Sequence, residues 1–319
     1  LSNELYMLGE DFTAIETRLL EKTARILTPD ILTSALPAHG VVHASPIEPG
    51  YLITKESGMY YENDLLTQKL SAGSISFYPA CDTLLHKADV KYMVCDDILY
   101  QVDHTLSKTM IARTETRTPA RTVWLGLAVD DSLTDLENIS FYLDFPNLAE
   151  SYEYLFLLPC TEWSAGGTPI RMEPGIYEKS RLPEESTRAF FRNYDVMSVI
   201  DKEVMDLYNK HFLRVSQPVP LNEVDKEPLP KALSSCFGER VREKMQEKLV
   251  WVKIVFPAHF TPEILEELHA GINIVPVENK LLHEQTTSLE DTFRVIPLRT
   301  GNYESLLSVP SVKDSDGKS

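Results

Sequence analysis

Cysteine is scarce in this sequence, and its placement excludes two kinds of stabilising site. The chain of 319 residues holds four cysteines, at Cys81, Cys95, Cys160 and Cys236. They are scattered and form no C-x-x-C pair, so neither a disulfide framework nor a four-cysteine zinc site is favoured. Sparse cysteines of this kind are typical of proteins from a reducing compartment.

Long apolar runs and an excess of positive charge are also missing. No apolar run approaches the length that spans a bilayer, and no basic stretch followed by an apolar core opens the chain as a signal peptide would. Asp and Glu number 48 against 31 Lys and Arg, for a formal net charge of −17. This acidity is spread along the chain and repels phosphates, so nucleic acid and anionic membranes are disfavoured partners. The chain starts at Leu1 inside a predicted helix, and we expect that upstream sequence, with any targeting segment, was removed.

No recognisable catalytic or metal-binding motif is present. His39 and His43 lie four residues apart, but the residues between them are typical of a strand, on which the rings would stand about 13 Å apart. Gly166-Gly167 lacks the further glycines of a phosphate-binding loop. Asp96-Asp97 and Asp130-Asp131 each end a β-rich run, where aspartates commonly form turns. The residues therefore predict a protein that is not an enzyme and that has no catalytic, cofactor-binding or metal-binding residue.

The strongest pattern is a helical seam at the start of the chain. Its apolar residues recur in steps of four and three over nearly four heptads, at Leu1, Leu5, Leu8, Phe12, Ile15, Leu19 and Ile26. Charged side chains occupy the other faces, and Pro29 ends the helix. A narrow stripe of this length favours packing against another helix, although packing on the protein's own core produces the same pattern. We therefore predict an assembly helix over residues 1–28, with these apolar residues as its interface.

From Ala38 to about Ile170 the apolar pattern changes to a period of two, which is typical of strands. Short β-rich runs, separated by Pro, Gly and Asp, predict strands at 41–42, 51–53, 75–78, 92–94, 122–129 and 139–143. One short helix is predicted at 148–158. Regular short strands with this punctuation predict an antiparallel β-sandwich or barrel-like domain.

The remainder of the chain alternates helical and strand patterns. Helices are predicted at 196–215, 231–248 and 262–270, the last with Thr261 as its cap and Gly271 as its end. Strands are predicted at 250–256, 272–277 and 292–297. The sequence thus predicts an α+β fold with an assembly helix at 1–28, a β-rich domain at 29–180, a helical and linker region at 181–248, a C-terminal α+β domain at 249–312 and a disordered tail at 313–319.

Several segments, taken in order, resemble one protein family. The predicted helix leads through Pro37-Ala38-His39-Gly40-Val41-Val42-His43-Ala44 into a first strand. A Phe-Tyr-Leu strand at 139–144 precedes a helix rich in Leu and Tyr at 149–156. Near the end, a Pro-Val-Glu-Asn strand at 273–279 is followed by the strand Phe293-Arg294-Val295-Ile296-Pro297. The whole resembles TssF, the baseplate wedge subunit of type VI secretion systems, in a divergent, N-terminally truncated form such as those of Bacteroidetes.

The resemblance implies a function in a bacterial contractile injection machine that is similar to a phage tail. TssF-like proteins form wedges with a second TssF-like copy and a TssG-like subunit, and the wedges surround a VgrG-like spike together with other baseplate proteins. It therefore implies a cytoplasmic structural protein, in a baseplate complex at the inner-membrane side. Such a protein acts through protein-protein interfaces, without a cofactor, a small-molecule substrate or direct membrane insertion.

Two other functions are compatible with the residues. A β-rich envelope protein that binds a ligand or a protein between its sheets is the first, and neighbouring genes for a sheath, spike and inner tube would argue against it. A hydrolase with an unrecognised site is the second. It predicts a deep pocket that brings His39 or His86 together with acids or with Cys81.

Overall fold

The computed structural model describes residues 36–61, 75–114, 119–149, 151–176, 204–238, 241 and 245–280. Strands account for 44% of these residues and helices for 14%, and their longest helix has seven residues. The predicted α+β class with a long helix is therefore wrong, since the described chain is built from several antiparallel sheets. Apolar residues in this chain either alternate with polar ones or follow one another over short segments. Both patterns are typical of strands that are buried on one face or on both faces of a sheet.

Part of the prediction falls outside the described residues. This holds for the assembly helix at 1–28 with its interface residues Leu1, Leu5, Leu8, Phe12, Ile15, Leu19 and Ile26, for the strand at 292–297 and for the tail at 313–319. The chain divides into the units 1–280 and 281–319. All described residues belong to the first unit.

Eighteen strands and four short α-helices have described bounds. The strands are β1 (His39–His43), β2 (Gly50–Ile53), β3 (Met59–Tyr61), β4 (Ile75–Pro79), β5 (Thr83–His86), β6 (Ala88–Cys95), β7 (Ile98–Val102), β8 (Lys108–Arg113), β9 (Thr122–Val129), β10 (Ser140–Asp144), β11 (Glu162–Ala165), β12 (Thr168–Ile170), β13 (Met172–Pro174), β14 (Phe212–Val215), β15 (Lys226–Glu227), β16 (Leu249–Val255), β17 (His269–Ile272) and β18 (Ile274–Glu278). The helices are α1 (Ser151–Leu157), α2 (Val204–Tyr208), α3 (Lys231–Ser234) and α4 (Pro262–Glu266). Over the described residues, no helix combines the length and apolarity that a membrane crossing requires.

The largest sheet has eight strands, in the order β12-β11-β16-β9-β6-β7-β8 with β15 paired to β16. Its central strand β9 spans Thr122–Val129, which confirms the strongest strand of the sequence from end to end. Leu125 and Leu127 of β9 are fully buried, as are Val252 and Ile254 of the neighbouring β16. Nearly continuous burial of this kind explains why both strands read as unbroken apolar runs.

A second sheet, in the order β13-β14-β10-β17, shares the main core with the first. Phe141 and Leu143 of β10 belong to the same buried cluster as Leu125 and Val252. The Phe141 ring lies against that of Trp163 on β11, with the ring centroids 4.9 Å apart. The core is therefore formed by side chains from two antiparallel sheets.

Strand β18 lies between two smaller buried clusters. It pairs with β1 and β4 in a sheet ordered β1-β18-β4-β3, while β2 and β5 form a separate two-stranded sheet. Val275 and Val277 of β18 pack with Ile53 and Leu85 from that two-stranded sheet. Ile274 belongs instead to a cluster with Tyr142, Phe212 and Met205. Because side chains alternate along a strand, β18 contributes to the core on both of its faces.

The strand pairings join segments that are far apart in the sequence. β16 pairs with β9 over six residue pairs, and β18 pairs with β1 over five. Both pairings connect the predicted β-rich domain at 29–180 with the predicted C-terminal domain at 249–312. The predicted domain boundaries stay predictions.

Three of the predicted helices are shorter than expected. The helix predicted at 231–248 is interrupted after Ser234, the end of α3, and residues 245–248 are not helical. The other two are followed by strands. The helix predicted at 196–215 is described from Val204 to Tyr208, and Phe212–Val215 is strand β14, paired with β10. The helix predicted at 262–270 ends at Glu266, and Gly271 lies inside β17 rather than at a helix end. A Cβ atom at Gly271 would overlap Leu106 Cδ2, so a larger residue at this position would require the Leu106 side chain to shift. In both places sheet pairing overrides a local helical pattern.

Candidate interaction surface

Large apolar side chains are exposed mainly on the first strands of the described chain. Among the described residues, ten such side chains are exposed, and seven of them lie between positions 41 and 84: Val41, Val42, Ile47, Tyr51, Leu52, Tyr60 and Leu84. Single exposed apolar residues are ordinary, whereas a concentration of them on a few neighbouring segments of the chain makes this part of the surface a candidate for protein contact. We call these seven residues the exposed apolar group.

The two-stranded sheet β2–β5 has one buried and one exposed apolar face. Leu52 and Leu84 stand opposite each other in its register and are 54% and 40% exposed. Their neighbours Ile53 and Leu85 are buried against Val275 and Val277. Opposite residues of an antiparallel pair share a face, so Leu52 and Leu84 form an exposed cross-strand pair. The buried face stabilises the fold, whereas the exposed pair is available to a partner.

Strand β1 is anchored at both ends and exposed in the middle. His39 Nδ1 lies 3.0 Å from the Tyr208 hydroxyl of α2, and the two rings meet edge to face. At the other end, His43 Nε2 lies 3.5 Å from Asp89 Oδ1 and makes no hydrogen bond to any described residue. Val41 and Val42, between the two histidines, are more than a third exposed. These contacts hold β1 in place without covering its two valines.

A smaller apolar site lies on α1. Tyr152 and Phe156 are separated by one helical turn and pack edge to face, with ring centroids 4.6 Å apart. The Lys210 Nζ atom lies 4.0 Å from the centroid of the Tyr152 ring. Both aromatic residues are about 40% exposed. An aromatic pair with a cation on one ring is a frequent composition of protein interfaces.

Asn273 connects β18 to the turn that joins β5 and β6. It is buried, and its backbone has a φ of 58°, a conformation that asparagine tolerates better than most residues. Its Nδ2 donates to the carbonyls of His86 and Ala88 at 2.7 and 2.8 Å, and its Oδ1 accepts from the His86 amide at 2.8 Å. Its own carbonyl accepts from the Ala44 amide, directly after β1. Through its side chain and its backbone carbonyl, Asn273 thereby connects β1, β5 and β6 to β18.

A cluster of titratable side chains lies on β10 and beside β14. His211 Nδ1 lies 3.4 Å from Asp144 Oδ1, and its ring stacks on Tyr142. The Tyr142 hydroxyl donates to Asp144 Oδ2 at 3.2 Å. Burial raises the pKa of Asp144, but the hydrogen bond and charge of His211 and the Phe145 amide outweigh it and hold that pKa below its usual value. Burial and the neighbouring Asp144 carboxylate raise the pKa of Tyr142. The polar groups of this cluster have one another as partners, so the cluster holds His211 against β10 and does not present a reactive group.

Of the residues in the hydrolase hypothesis, Cys81 and His86 are buried, whereas His39 is exposed. Burial raises the pKa of Cys95 to about 12 and also raises that of Cys81, which keeps both thiols protonated at neutral pH. Burial lowers the pKa of His86, whose Nε2 has no hydrogen-bond partner in the described part of the chain. Cys81 packs with Tyr142 and Phe212, away from the cluster that contains Leu85.

A groove of about 370 Å³ lies between the β5–β6 turn and the end of β9. The Lys87–Asp130 ion pair, 2.9 Å long, is part of its lining. His39, His86 and Cys81 are not among its lining residues. Within the described ranges, no three His, Cys, Asp or Glu residues are placed to hold a metal ion.

The sequence and the structure single out different residues. The predicted interface residues all lie in the segment 1–35, outside the described residues. Sequence analysis identified β1 and β2 as strands but missed the exposed apolar group. The available signal was the absence of Lys, Arg, Asp and Glu from both strands, which half-exposed strands commonly carry on the solvent side.

Comparison with solved structures finds distant structural likenesses. No protein-family model matches the sequence, and no curated protein matches it either. The fold is similar to that of a chain in the structure of the type VI secretion system TssK-TssF-TssG baseplate subcomplex, with a TM-score of 0.37 and 14% sequence identity. The match covers 90% of this chain and 54% of that chain. The chain thus spans about half the length of that baseplate protein.

Proposed function

We propose that this protein is a structural wedge subunit in the baseplate of a type VI secretion system and acts through protein-protein interfaces. The observation that carries the proposal is the exposed apolar group on β1, β2, β3 and β5 and at Ile47 between β1 and β2. The ordered sequence segments that resemble TssF add the identity of the machine. On this proposal the protein is cytoplasmic and joins the baseplate at the inner-membrane side.

The exposed apolar group supports an assembly role on energetic grounds. Seven large apolar side chains between positions 41 and 84 remain in contact with water in the described structure. Covering apolar surface contributes about 25 cal/mol per Å², so these side chains gain stability when a partner covers them. In a chain of net charge −17 they are the part of the surface best suited to close contact with another acidic or neutral protein.

We propose that the protein has no catalytic activity. Two features favour this. The thiols of Cys81 and Cys95 have raised pKa values because they are buried, and protonated thiols are poor nucleophiles. The histidine with the most contacts to an acid, His211, is stacked on Tyr142 and bound to Asp144, an arrangement that stabilises packing.

The partners follow from the resemblance. We propose that the predicted seam over residues 1–28 binds a TssG-like subunit and a second TssF-like copy, and that the exposed apolar group contributes further contacts within the wedge. Helix packing and sheet packing are independent kinds of contact, so the two surfaces are expected to be separable by mutation.

Co-purification tests the proposal. The full chain is expressed with the TssG-like protein encoded beside it, and Leu8, Phe12 and Ile15 are replaced together by glutamate. We expect the triple variant to lose the complex, because three charges on a helical seam prevent close packing. Replacing Glu4, Glu10 and Glu16 by glutamine, on the other faces of the predicted helix, is the matched control and should leave the complex intact.

Two outcomes would contradict the proposal. Complex formation unchanged by the Leu8, Phe12 and Ile15 changes would remove the seam from the interface. Failure of the wild-type chain to bind any baseplate protein, together with a gene neighbourhood without sheath, spike and tube, would favour the envelope-protein alternative.

A further inference from the structure

We infer that the free edge of β1 pairs antiparallel with β1 of a second copy, centred on Val41, to form one continuous sheet across two molecules. The inference deepens the proposed function and rests on it, because an assembly supplies the closeness of copies that a small interface needs. Its evidence is the direction of the β1 backbone groups, the composition of β1 and the space beside Gly40.

The outward edge of β1 carries a regular set of backbone groups with which no described strand pairs. In the β1–β18 register, Val41 stands opposite Pro276, whose carbonyl accepts from the Ala80 amide on the side of β4. The amide and carbonyl groups of one strand residue point to the same side of the strand. Because the Pro276 carbonyl points toward β4, it points away from β1, and Val41 and Pro276 are a non-hydrogen-bonded pair. The amide and carbonyl of Val41 therefore point away from β18.

The hydrogen bonds at the two ends of β1 show the same alternation of residues that face β18 and residues that face outward. The Asn279 amide donates to the Ala38 carbonyl at 2.7 Å, and the Ala44 amide donates to the Asn273 carbonyl at 3.0 Å. Ala38 and Ala44 have even numbers, so the even residues of β1 face β18 and the odd ones face outward. His39, Val41 and His43 thus present three amides and three carbonyls along an edge that pairs with no strand among the described residues.

Other exposed edges of the described sheets carry features that discourage pairing. β8 begins with Lys108, ends with Arg113 and has a register shift against β7. β12 contains Pro169 and β13 ends with Glu173-Pro174. Charge, proline and irregular register are the usual devices that keep an edge from adding another strand.

β1 has none of these devices. It contains no Lys, Arg, Asp or Glu and no proline, and its five-residue register with β18 is continuous. β2 also lacks these residues, but it has four residues and directly follows Pro49. Among the described edge strands that lack Lys, Arg, Asp, Glu and Pro, β1 is the longest, and it is therefore well suited to strand addition.

The order of residues in β1 favours a second copy as the occupant. His39-Gly40-Val41-Val42-His43 begins and ends with histidine, and two copies related by a two-fold axis through Val41 place His39 opposite His43. Val41 then stands opposite Val41 of the second copy, and Gly40 opposite Val42. A Cβ atom at Gly40 would meet no atom within 4 Å, so the space beside it accommodates the opposing valine. Because His39, Val41 and His43 face outward, the two strands can form six N–H···O=C bonds across the axis, two at each of the pairs 39–43, 41–41 and 43–39.

The expected association is weak in isolation. Two five-residue strands bury far less than the roughly 1,200 Å² of a stable interface, and the net charge of −17 on each chain opposes contact elsewhere. Within an assembly that holds two copies close together, a weak contact of this kind becomes populated because its effective concentration is high. The strand pairing is thus expected to act as a clamp between copies that other surfaces have brought together.

The first experiment removes one backbone donor. The full chain and its Val41→Pro and Val41→Thr variants are measured by sedimentation equilibrium at increasing protein concentration. The wild type should show concentration-dependent dimers, and Val41→Thr should retain them. Val41→Pro should weaken dimerisation at least tenfold, because it removes two of the six bonds across the axis, whereas its missing amide does not face β18.

The second experiment does not depend on proline being tolerated. In a chain with Cys160→Ser and Cys236→Ser, Val41→Cys is treated with a short bismaleimide, with Met110→Cys on the edge strand β8 as the matched control. Met110 is 60% exposed, so its cysteine is at least as accessible. A cysteine at position 41 lies on the two-fold axis, about 5.5 Å from its counterpart, and should give crosslinked dimers well above the control.

The results separate this inference from the proposed function. A wild type that stays monomeric at every concentration and crosslinks no more at position 41 than at position 110 would overturn the strand pairing, whatever binds the seam. If the wild type is monomeric and Val41→Pro no longer binds a TssG-like partner, then the edge of β1 binds that partner and not a second copy, and the inference is overturned. Dimers that depend on Val41 without any baseplate partner would support the pairing and count against the proposed function.

Discussion

The eight-stranded sheet and the small sheets around β1, β2 and β5 use apolar side chains in opposite ways. In the centre of the large sheet, the apolar residues of β9 and β16 are almost completely buried. In β1 and β2, which contain equally strong strand formers, Val41, Val42, Tyr51 and Leu52 remain exposed. The same residue types therefore stabilise the fold in one region and are left for a partner in the other.

The difference lies in the number of covered faces. β9 has a strand on either side and packs through both faces, against the main core and against a second cluster that includes Leu249 and Trp251. β2 has one partner strand, β5, and packs through one face only. Folding alone stabilises the first region, whereas the second gains further stability when it binds.

The largest expected effect is the loss of a leucine from the main core. Leu125→Ala, at a fully buried position of β9, should lower the free energy of unfolding by about 2–5 kcal/mol because it leaves a cavity. Leu52→Ala, at a position 54% exposed on β2, should change it by no more than about 0.5 kcal/mol. Urea unfolding of both variants measures the contrast, and equal losses would remove the distinction between the two regions.

The next largest loss of stability is expected at Asn273, which connects the sheets around β1 and β5 with β6 of the eight-stranded sheet. Asn273→Ala removes three buried side-chain hydrogen bonds and should cost about 2–4 kcal/mol, since the backbone groups of His86 and Ala88 lose their partner. Asn138→Ala is the matched control, because Asn138 has a similar positive φ but is exposed and makes one side-chain contact, with Arg214. Thermal unfolding should show the larger shift for Asn273→Ala, and a larger shift for Asn138→Ala would contradict the role of the junction.

Two glycines on strands allow a comparison at a finer scale. A Cβ atom at Gly126 of β9 would lie 3.0 Å from the Trp251 ring and 3.2 Å from Leu249 Cδ1, so Gly126→Ala should destabilise the protein by about 1–3 kcal/mol. A Cβ atom at Gly40 of β1 would touch nothing. Gly40→Ala should therefore be neutral or stabilising by up to about 1 kcal/mol, because it restricts the unfolded chain. Chemical denaturation distinguishes these signs, and a destabilising Gly40→Ala would mean that β1 is more closely packed than described.

The smallest expected effect is a pH dependence from His86. Burial lowers the pKa of this histidine, so the unfolded chain binds a proton more readily than the folded one. Its contribution to stability is therefore present above the ordinary histidine pKa of about 6.5 and is lost as the pH falls below it, by at most about 1.4 kcal/mol per pH unit.

Chemical denaturation at pH 7.5 and 5.5 measures the contribution of His86 to the free energy of unfolding. His86→Gln should reduce the difference in unfolding free energy between the two pH values, whereas His104→Gln, at an exposed turn, should leave it unchanged. An equal pH dependence in the wild type and in His86→Gln would show that other groups cause it.

Much of the local structure was predictable, because single strands carry their own signal. The strands at 122–129, 92–94 and 250–256 appeared as apolar runs, and the structure confirms them as β9, part of β6 and most of β16. Phe212–Val215 was predicted as helix because a helical pattern precedes it. Its pairing with Ser140–Tyr142, about seventy residues earlier, makes it a strand.

The candidate site was predictable only in kind. Sequence analysis favoured a protein that acts through interfaces, and it located the interface in the seam at 1–28, which lies outside the described residues. The exposed apolar group was missed because apolar residues on a short strand look the same whether they face a core or a partner. Only neighbours that are distant in the sequence decide between the two.

By itself, the sequence determined where the strands β9 and β16 and part of β6 lie and the acidic character of the chain, because strand preference and charge are local properties. Tertiary structure decided which strands pair, that Gly271 lies in a strand against Leu106, and that β1 is an edge whose odd residues face outward. Those features depend on contacts between residues more than a hundred positions apart, as between β1 and β18, and no local pattern encodes them.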